Sequence, residues 1–268
     1  MARLAVRDTE LHAEEHGTGP EAVVFAHGLL LSCRQFDGPV AALRADYRCV
    51  TYDARGHGQS RSPPGGYDLD SQTEDAAALI RHLACGPCHF VGFSMGGFVG
   101  QRLAVRHPEL LRSLTLIGSS ASPEGNAFRF RLMGWVARVF GVRAVTPWVM
   151  PVQFGTGFLR DANREAERRD WFERIAATER TGALRAADAV TRRPDYAAEL
   201  SGVRVPTLIL VGGEDRATPP EESERMHARI DRSELAVIPG AGHAVTIEKP
   251  EPVSHRLREF LAKSRSTR

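Results

Sequence analysis

The sequence predicts an α/β fold, a mostly parallel sheet with helices on both faces, interrupted once by a helical insertion. Three observations point there. Short apolar runs alternate with amphipathic stretches from Val23 to Ile117 and again from Pro206 onward. The runs are continuous rather than alternating, as expected of parallel strands buried on both faces. Between Ser120 and about Leu200 the rhythm stops, and that segment carries Trp135, Trp148 and Trp171 without a buried-strand run.

Leu4 to Val6 and Leu11 to Glu15 are short strand candidates ahead of a turn at Gly17-Thr18-Gly19-Pro20, and they predict an antiparallel edge hairpin. Val23 to Ala26 reads as the first buried strand, bounded by His27-Gly28. Gln35 to Ala45 reads as helix and Cys49 to Asp53 as the next strand. After a loop from Ala54 to Gly66, helix resumes at Ser71, an N-cap candidate with Glu74 three residues on. His89 to Phe93 is strand, Gly97 to Arg106 helix and Leu114 to Ile117 strand. Phe128 to Phe140 and Arg164 to Thr178 carry helical patterns. Strand, helix, strand and helix then follow at Pro206 to Val211, Pro220 to Ile230, Leu235 to Ile238 and Pro252 to Lys263. Residues 1–118 and 201–268 are expected to form one core, with 119–200 a helical cap.

With 268 residues, 42% apolar and 25% charged, the chain has the composition of an ordinary soluble enzyme. A formal net charge of +2 gives no nucleic-acid footprint. Asp8, Glu10, Glu14 and Glu15 near the start, with no apolar run among them, argue against a secretory signal. No stretch approaches the roughly 18 apolar residues of a membrane span. The expectation is a cytoplasmic protein with neither nucleic-acid nor membrane partner. Cys33, Cys49, Cys85 and Cys88 are read as free thiols. Cys85-Gly86-Pro87-Cys88 has the spacing of a redox or zinc motif, flanked by His82 and His89. It falls at the end of a predicted helix, however, where Gly and Pro read as a stop signal and no helix dipole favours a thiolate.

Gly92-Phe93-Ser94-Met95-Gly96 lies between a predicted strand and a predicted helix. A serine in such a turn takes a strained backbone conformation and lifts its hydroxyl clear of the sheet, as a nucleophile requires. A serine nucleophile also needs a base, an orienting acid and donors for an oxyanion. Each has a candidate at the C-terminal end of a predicted parallel strand, where open α/β sheets bind ligands. Asp215 follows the strand ending at Val211, and His243 follows the strand ending at Ile238. The backbone N–H of Leu29, after Gly28, can point into the same crevice, with the N–H of Met95 as its partner. Glu214 is an alternative acid. Asp188, Asp195 and Glu199 lie in the insertion rather than at a strand end, and Gly118-Ser119-Ser120 leaves no acid after the strand Leu114 to Ile117. His57, between two glycines, reads as a structural loop residue.

These ordered segments resemble the α/β-hydrolase fold superfamily over essentially the whole chain. His27-Gly28 resembles its oxyanion loop, Asp53 to Ser60 the following strand-end loop, and Gly92 to Gly96 the nucleophile elbow. Gly212 to Asp215 and Gly240 to His243 resemble the acid and base segments. A serine at the elbow points away from relatives that use a carboxylate nucleophile. The resemblance implies a serine esterase or lactonase acting on a small molecule through Ser94, Asp215 and His243, with no metal and no cofactor. Cofactor-free perhydrolases or haloperoxidases and carbon–carbon bond hydrolases are the neighbouring alternatives, and a non-enzymatic ligand receptor on the same fold is the alternative outside catalysis. Phe36, where such relatives often carry tryptophan, is expected in the pocket wall, and Phe128, Trp135, Phe140, Trp148 and Trp171 are more aromatic surface than a small cap can bury, so that some, Trp135 and Trp148 first, are expected to face the crevice.

Overall fold

The structure, a computed structural model, describes residues 2–265. Eight strands among those residues form one sheet: β1 (Ala2–Val6), β2 (Thr9–His16), β3 (Ala22–Ala26), β4 (Arg48–Tyr52), β5 (Cys88–Phe93), β6 (Leu111–Ile117), β7 (Thr207–Gly212) and β8 (Ser233–Ile238). Their spatial order is β1-β2-β4-β3-β5-β6-β7-β8. The hairpin β1–β2 pairs antiparallel and β2 joins β4 antiparallel, whereas every pairing from β4 to β8 is parallel. The helices are α1 (Asp37–Leu43), α2 (Leu69–His82), α3 (Met95–Arg106), α4 (Ala127–Phe140), α5 (Val142–Gln153), α6 (Thr156–Arg160), α7 (Glu165–Ala176), α8 (Arg180–Thr191), α9 (Pro220–His227), α10 (Val245–Glu248) and α11 (Pro250–Arg265).

The continuous apolar runs have the burial that two-sided cover demands. All residues of β3, β5 and β7 are buried. Side chains alternate across a strand, so Val23 and Phe25 of β3 join the core under α1 and α11, while Val24 and Ala26 join the one under α2 and α3. Each large apolar side chain buried this way contributes roughly 1.5–3 kcal/mol. The five helices α4–α8 stand between β6 and β7, and Val145, Val149, Phe154 and Ile175 extend the α1/α11 core into them. Consequently the insertion rests on the C-terminal ends of the parallel strands.

One start signal differs from expectation. The N-cap of α2 is Asp68, whose Oδ1 accepts from Ser71 N–H at 2.8 Å and whose Oδ2 accepts from Ser71 Oγ at 2.8 Å. Ser71 is thus inside the first turn. A carboxylate at this position accepts the same backbone donor and also opposes the positive end of the helix dipole. Among the described residues, no helix is long and apolar enough to cross a membrane.

Candidate active site

Ser94 sits between β5 and α3 with φ 49° and ψ −111°, a left-handed backbone that a non-glycine residue holds only when its surroundings enforce it. Those surroundings leave no alternative to glycine on either side. A Cβ at Gly92 would stand 2.3 Å from the Gly96 carbonyl oxygen, and one at Gly96 would stand 2.1 Å from that of Ala26. Ser94 N–H donates to the Ile117 carbonyl at 2.8 Å, which pins the turn to β6.

Asp215 follows β7 and is fully buried. Its Oδ1 accepts from the N–H groups of Ala217 and Thr218, both at 2.9 Å. Its Oδ2 accepts from Thr218 Oγ1 at 3.0 Å and lies 2.8 Å from His243 Nδ1. The carboxylate is therefore oriented by three donors before the imidazole is counted. The His243 ring is 4.7 Å from that of Phe93, and Gly118 packs against the Asp–His pair from the end of β6. Glu214 turns the other way, accepting from Thr156 N–H at 3.0 Å, so only Asp215 meets the histidine.

The loop after β3 is fixed by histidines. Ala54 N–H donates to His27 Nε2 at 2.9 Å, which places the ring proton on Nδ1, and Nδ1–H donates to the Gly28 carbonyl at 2.7 Å. Burial lowers the pKa of His27, so the ring stays neutral and keeps that tautomer. Holding the Gly28 oxygen fixes the peptide plane it shares with Leu29, whose N–H points the opposite way. The amides on either side are occupied: Gly28 N–H donates to Gln35 Oε1 at 3.2 Å and Leu30 N–H to His57 Nε2 at 3.4 Å. Met95 opens α3, so its N–H has no acceptor within the helix. His57 is buried beside His27, with ring centroids 5.1 Å apart, and burial together with that neighbour pushes its pKa down to about 3. It is a neutral brace for the loop.

Leu29, Ser94, Thr218 and His243 line one cavity of about 370 Å³, within the range of small-molecule pockets. Most of its remaining wall comes from the insertion, with aliphatic side chains such as Met133, Val145, Val149 and Leu184 in the majority and Glu124, Asn126, Arg129 and Arg193 among them. Three expected pocket residues are not part of that wall. Phe36 is fully buried in the core, its ring 5.0 Å from that of Phe25, because the 3-10 turn before α1 points it under the sheet. Trp135 and Trp148 are 59% and 51% exposed, because α4 and α5 turn Met133, Ala137, Val145 and Val149 toward the cavity instead. Phe98 and Phe130 supply the aromatic surface there. Sequence periodicity marks α4 as apolar on both sides, and so did not reveal which face turns inward.

Residues 21–250 match the α/β hydrolase fold family. The chain belongs to that family. It is similar to 3-oxoadipate enol-lactonase 2 of Acinetobacter baylyi, 26% identical over 259 residues that cover 96% of this chain and 95% of the relative. Among solved structures it is similar to the enol-lactonase from Burkholderia xenovorans LB400, with a TM-score of 0.92, 26% identity, and 97% and 100% of the two chains covered. A thermophilic esterase from Thermogutta terrifontis superposes with a TM-score of 0.91 at 29% identity, covering 98% of each chain.

Proposed function

We propose that this α/β hydrolase cleaves small or medium carboxylic esters or lactones through an acyl-enzyme on Ser94. The carrying observation is the buried His243–Asp215 pair at 2.8 Å, opening on the same cavity as the strained Ser94 turn. Relatives named as enol-lactonases and an esterase support the ester-bond chemistry. In this reading His243 Nε2 takes the Ser94 proton as Oγ attacks the carbonyl carbon. Asp215 keeps the ring proton on Nδ1 and stabilises the imidazolium that forms. The N–H groups of Leu29 and Met95 receive the oxyanion of the tetrahedral intermediate. His243 then returns the proton to the leaving oxygen, and water attacks the acyl-enzyme by the same route. The segment 119–200 acts as a cap whose aliphatic wall selects the acyl group.

Incubation with a fluorophosphonate followed by peptide mapping tests the nucleophile: the adduct is expected on Ser94 and absent from Ser94→Ala. A chromogenic ester assay separates enzyme from receptor, since a receptor that merely retains the three side chains turns over negligibly. An adduct on another residue, or turnover no faster than buffer, would overturn the assignment.

A further inference from the structure

The glycines at 155 and 242 bring two distant parts of the chain into backbone contact. A Cβ at Gly155 would stand 2.8 Å from the amide nitrogen of Gly242, and one at Gly242 would stand 2.3 Å from that of Gly155. Gly242 precedes His243, and Gly155 precedes α6 of the insertion. Both amide donors find their acceptor on one side chain, that of Glu248. Its Oε1 accepts from Gly242 N–H at 2.9 Å and its Oε2 from Gly155 N–H at 3.0 Å, with the residue 3% exposed. The other side of His243 is tied in the same way, since Ala244 N–H donates to the Gln153 carbonyl at 2.6 Å. Arg164, just before α7, locks the carboxylate's own backbone by donating to the carbonyls of Glu248 and Ile247 at 2.8 and 3.0 Å.

Building on the reading of His243 as the base, we propose that Glu248 is a positioning residue that makes alignment of His243 depend on the seating of the insertion. The bridge is strongest with an ionised carboxylate, because it presents a full acceptor oxygen to each amide. A carboxamide turns an N–H toward one of the two donors and opens that side, and a protonated carboxyl leaves one donor facing a hydroxyl oxygen, a weaker acceptor. Burial is the largest influence on Glu248 and pushes its pKa up to about 7, against the two amide bonds and Arg164, while Glu214 on the adjoining strand-end loop adds to the rise. His243 and Asp215 stand on the strand-end side of this loop, and Glu167 pairs with Arg164 at 2.8 Å on the insertion side. Full kcat then requires the ionised form of Glu248.

The test is kcat and KM of the intact protein toward p-nitrophenyl butyrate from pH 5 to 9, for the wild type, Glu248→Gln and, in parallel, Ser94→Ala. Glu248→Gln is expected to lower kcat by roughly 10- to 100-fold at pH 8, the scale of a misplaced catalytic group, with KM within about two-fold. The acid limb of log kcat is expected to be steeper than a slope of one in the wild type and to stay at one in Glu248→Gln. Wild-type kcat in the variant, or a slope of one in both proteins, overturns the proposal. Should Glu248→Gln fail to fold by circular dichroism, the wild-type limb decides alone, and a slope of one overturns it. Undiminished turnover in Ser94→Ala would instead strike the serine reading, and with it the base that Glu248 positions.

Discussion

The strand-end loops and the helices between β6 and β7 face each other across one cavity, yet they are held in place by different forces. In the loops hydrogen bonds hold the groups that surround the site. Asp215 accepts from three donors besides the imidazole, His27 bridges Ala54 and Gly28, and Ser94 N–H is bonded to β6. The insertion instead turns aliphatic side chains to the cavity, and α4 also presents Phe128 and Trp135 to solvent, 80% and 59% exposed. Hydrogen-bonded loops fix reacting groups to tenths of an ångström, whereas an apolar wall admits exchange of shapes of similar volume. Chemistry should therefore be intolerant of change on one side of the cavity and substrate preference adjustable on the other.

The largest effect expected from that contrast is at Ser94. Ser94→Ala should cut kcat by about 10⁵-fold or more, and because alanine keeps the Cβ and the same turn, its thermal midpoint should stay close to that of the wild type. Steady-state assay and a melting curve together check both halves. Next, Asp215→Asn is expected to lower kcat by roughly 10⁴-fold through loss of the Nδ1–H tautomer. Glu214→Gln should cost far less, since its carboxylate is bonded to Thr156 rather than to His243. A greater loss from Glu214→Gln would erase the distinction between the two acids.

On the insertion side the effects shrink. Across p-nitrophenyl esters from acetate to palmitate, kcat/KM should rise about four-fold per methylene until the cavity is filled, and then fall. A rise continuing to palmitate, with activation at an oil–water interface, would show an open wall. The smallest effect separates the two faces of α4. Met133→Ala should shift the preferred chain length, and Trp135→Ala should leave that profile unchanged. A shifted optimum in the tryptophan variant would put α4 in a different rotation.

Much of the core was legible because its signals are local. Gly92 and Gly96 report the space around the turn they belong to, and the runs from Val23 and His89 report two-sided burial. Asp215 stands where the sequence places it, although it fixes the amides of Ala217 and Thr218 rather than capping α9, whose N-cap is Pro219. The insertion was less legible for equally physical reasons. Pro147 and Pro151 lie inside α5 and read as breakers. The facing of Trp135 and Trp148 depends on how α4 and α5 pack against helices far along the chain. Phe36 was misplaced because an aromatic near a strand-end loop fits a core as well as a pocket. Glu248 gave no signal, since its two partners are backbone amides separated by 87 residues of sequence, from Gly155 to Gly242.

The four thiols offer a different handle on this molecule. Cys33, Cys49, Cys85 and Cys88 are all buried and unbridged. Burial lifts Cys49 to about 12 and Cys85 to about 11, and raises Cys33 and Cys88 as well. Alkylating reagents attack the thiolate, so at neutral pH the native protein should be nearly inert to them. Modification then has to wait for an opening, and the mass of the product counts how many thiols that opening reached. Cys33 lies ahead of α1, Cys49 in β4, and Cys85 and Cys88 at the entrance to β5. Unfolding of the whole sheet at once would move molecules straight from unlabelled to fully labelled, whereas singly and doubly labelled intermediates would reveal that one edge peels away first.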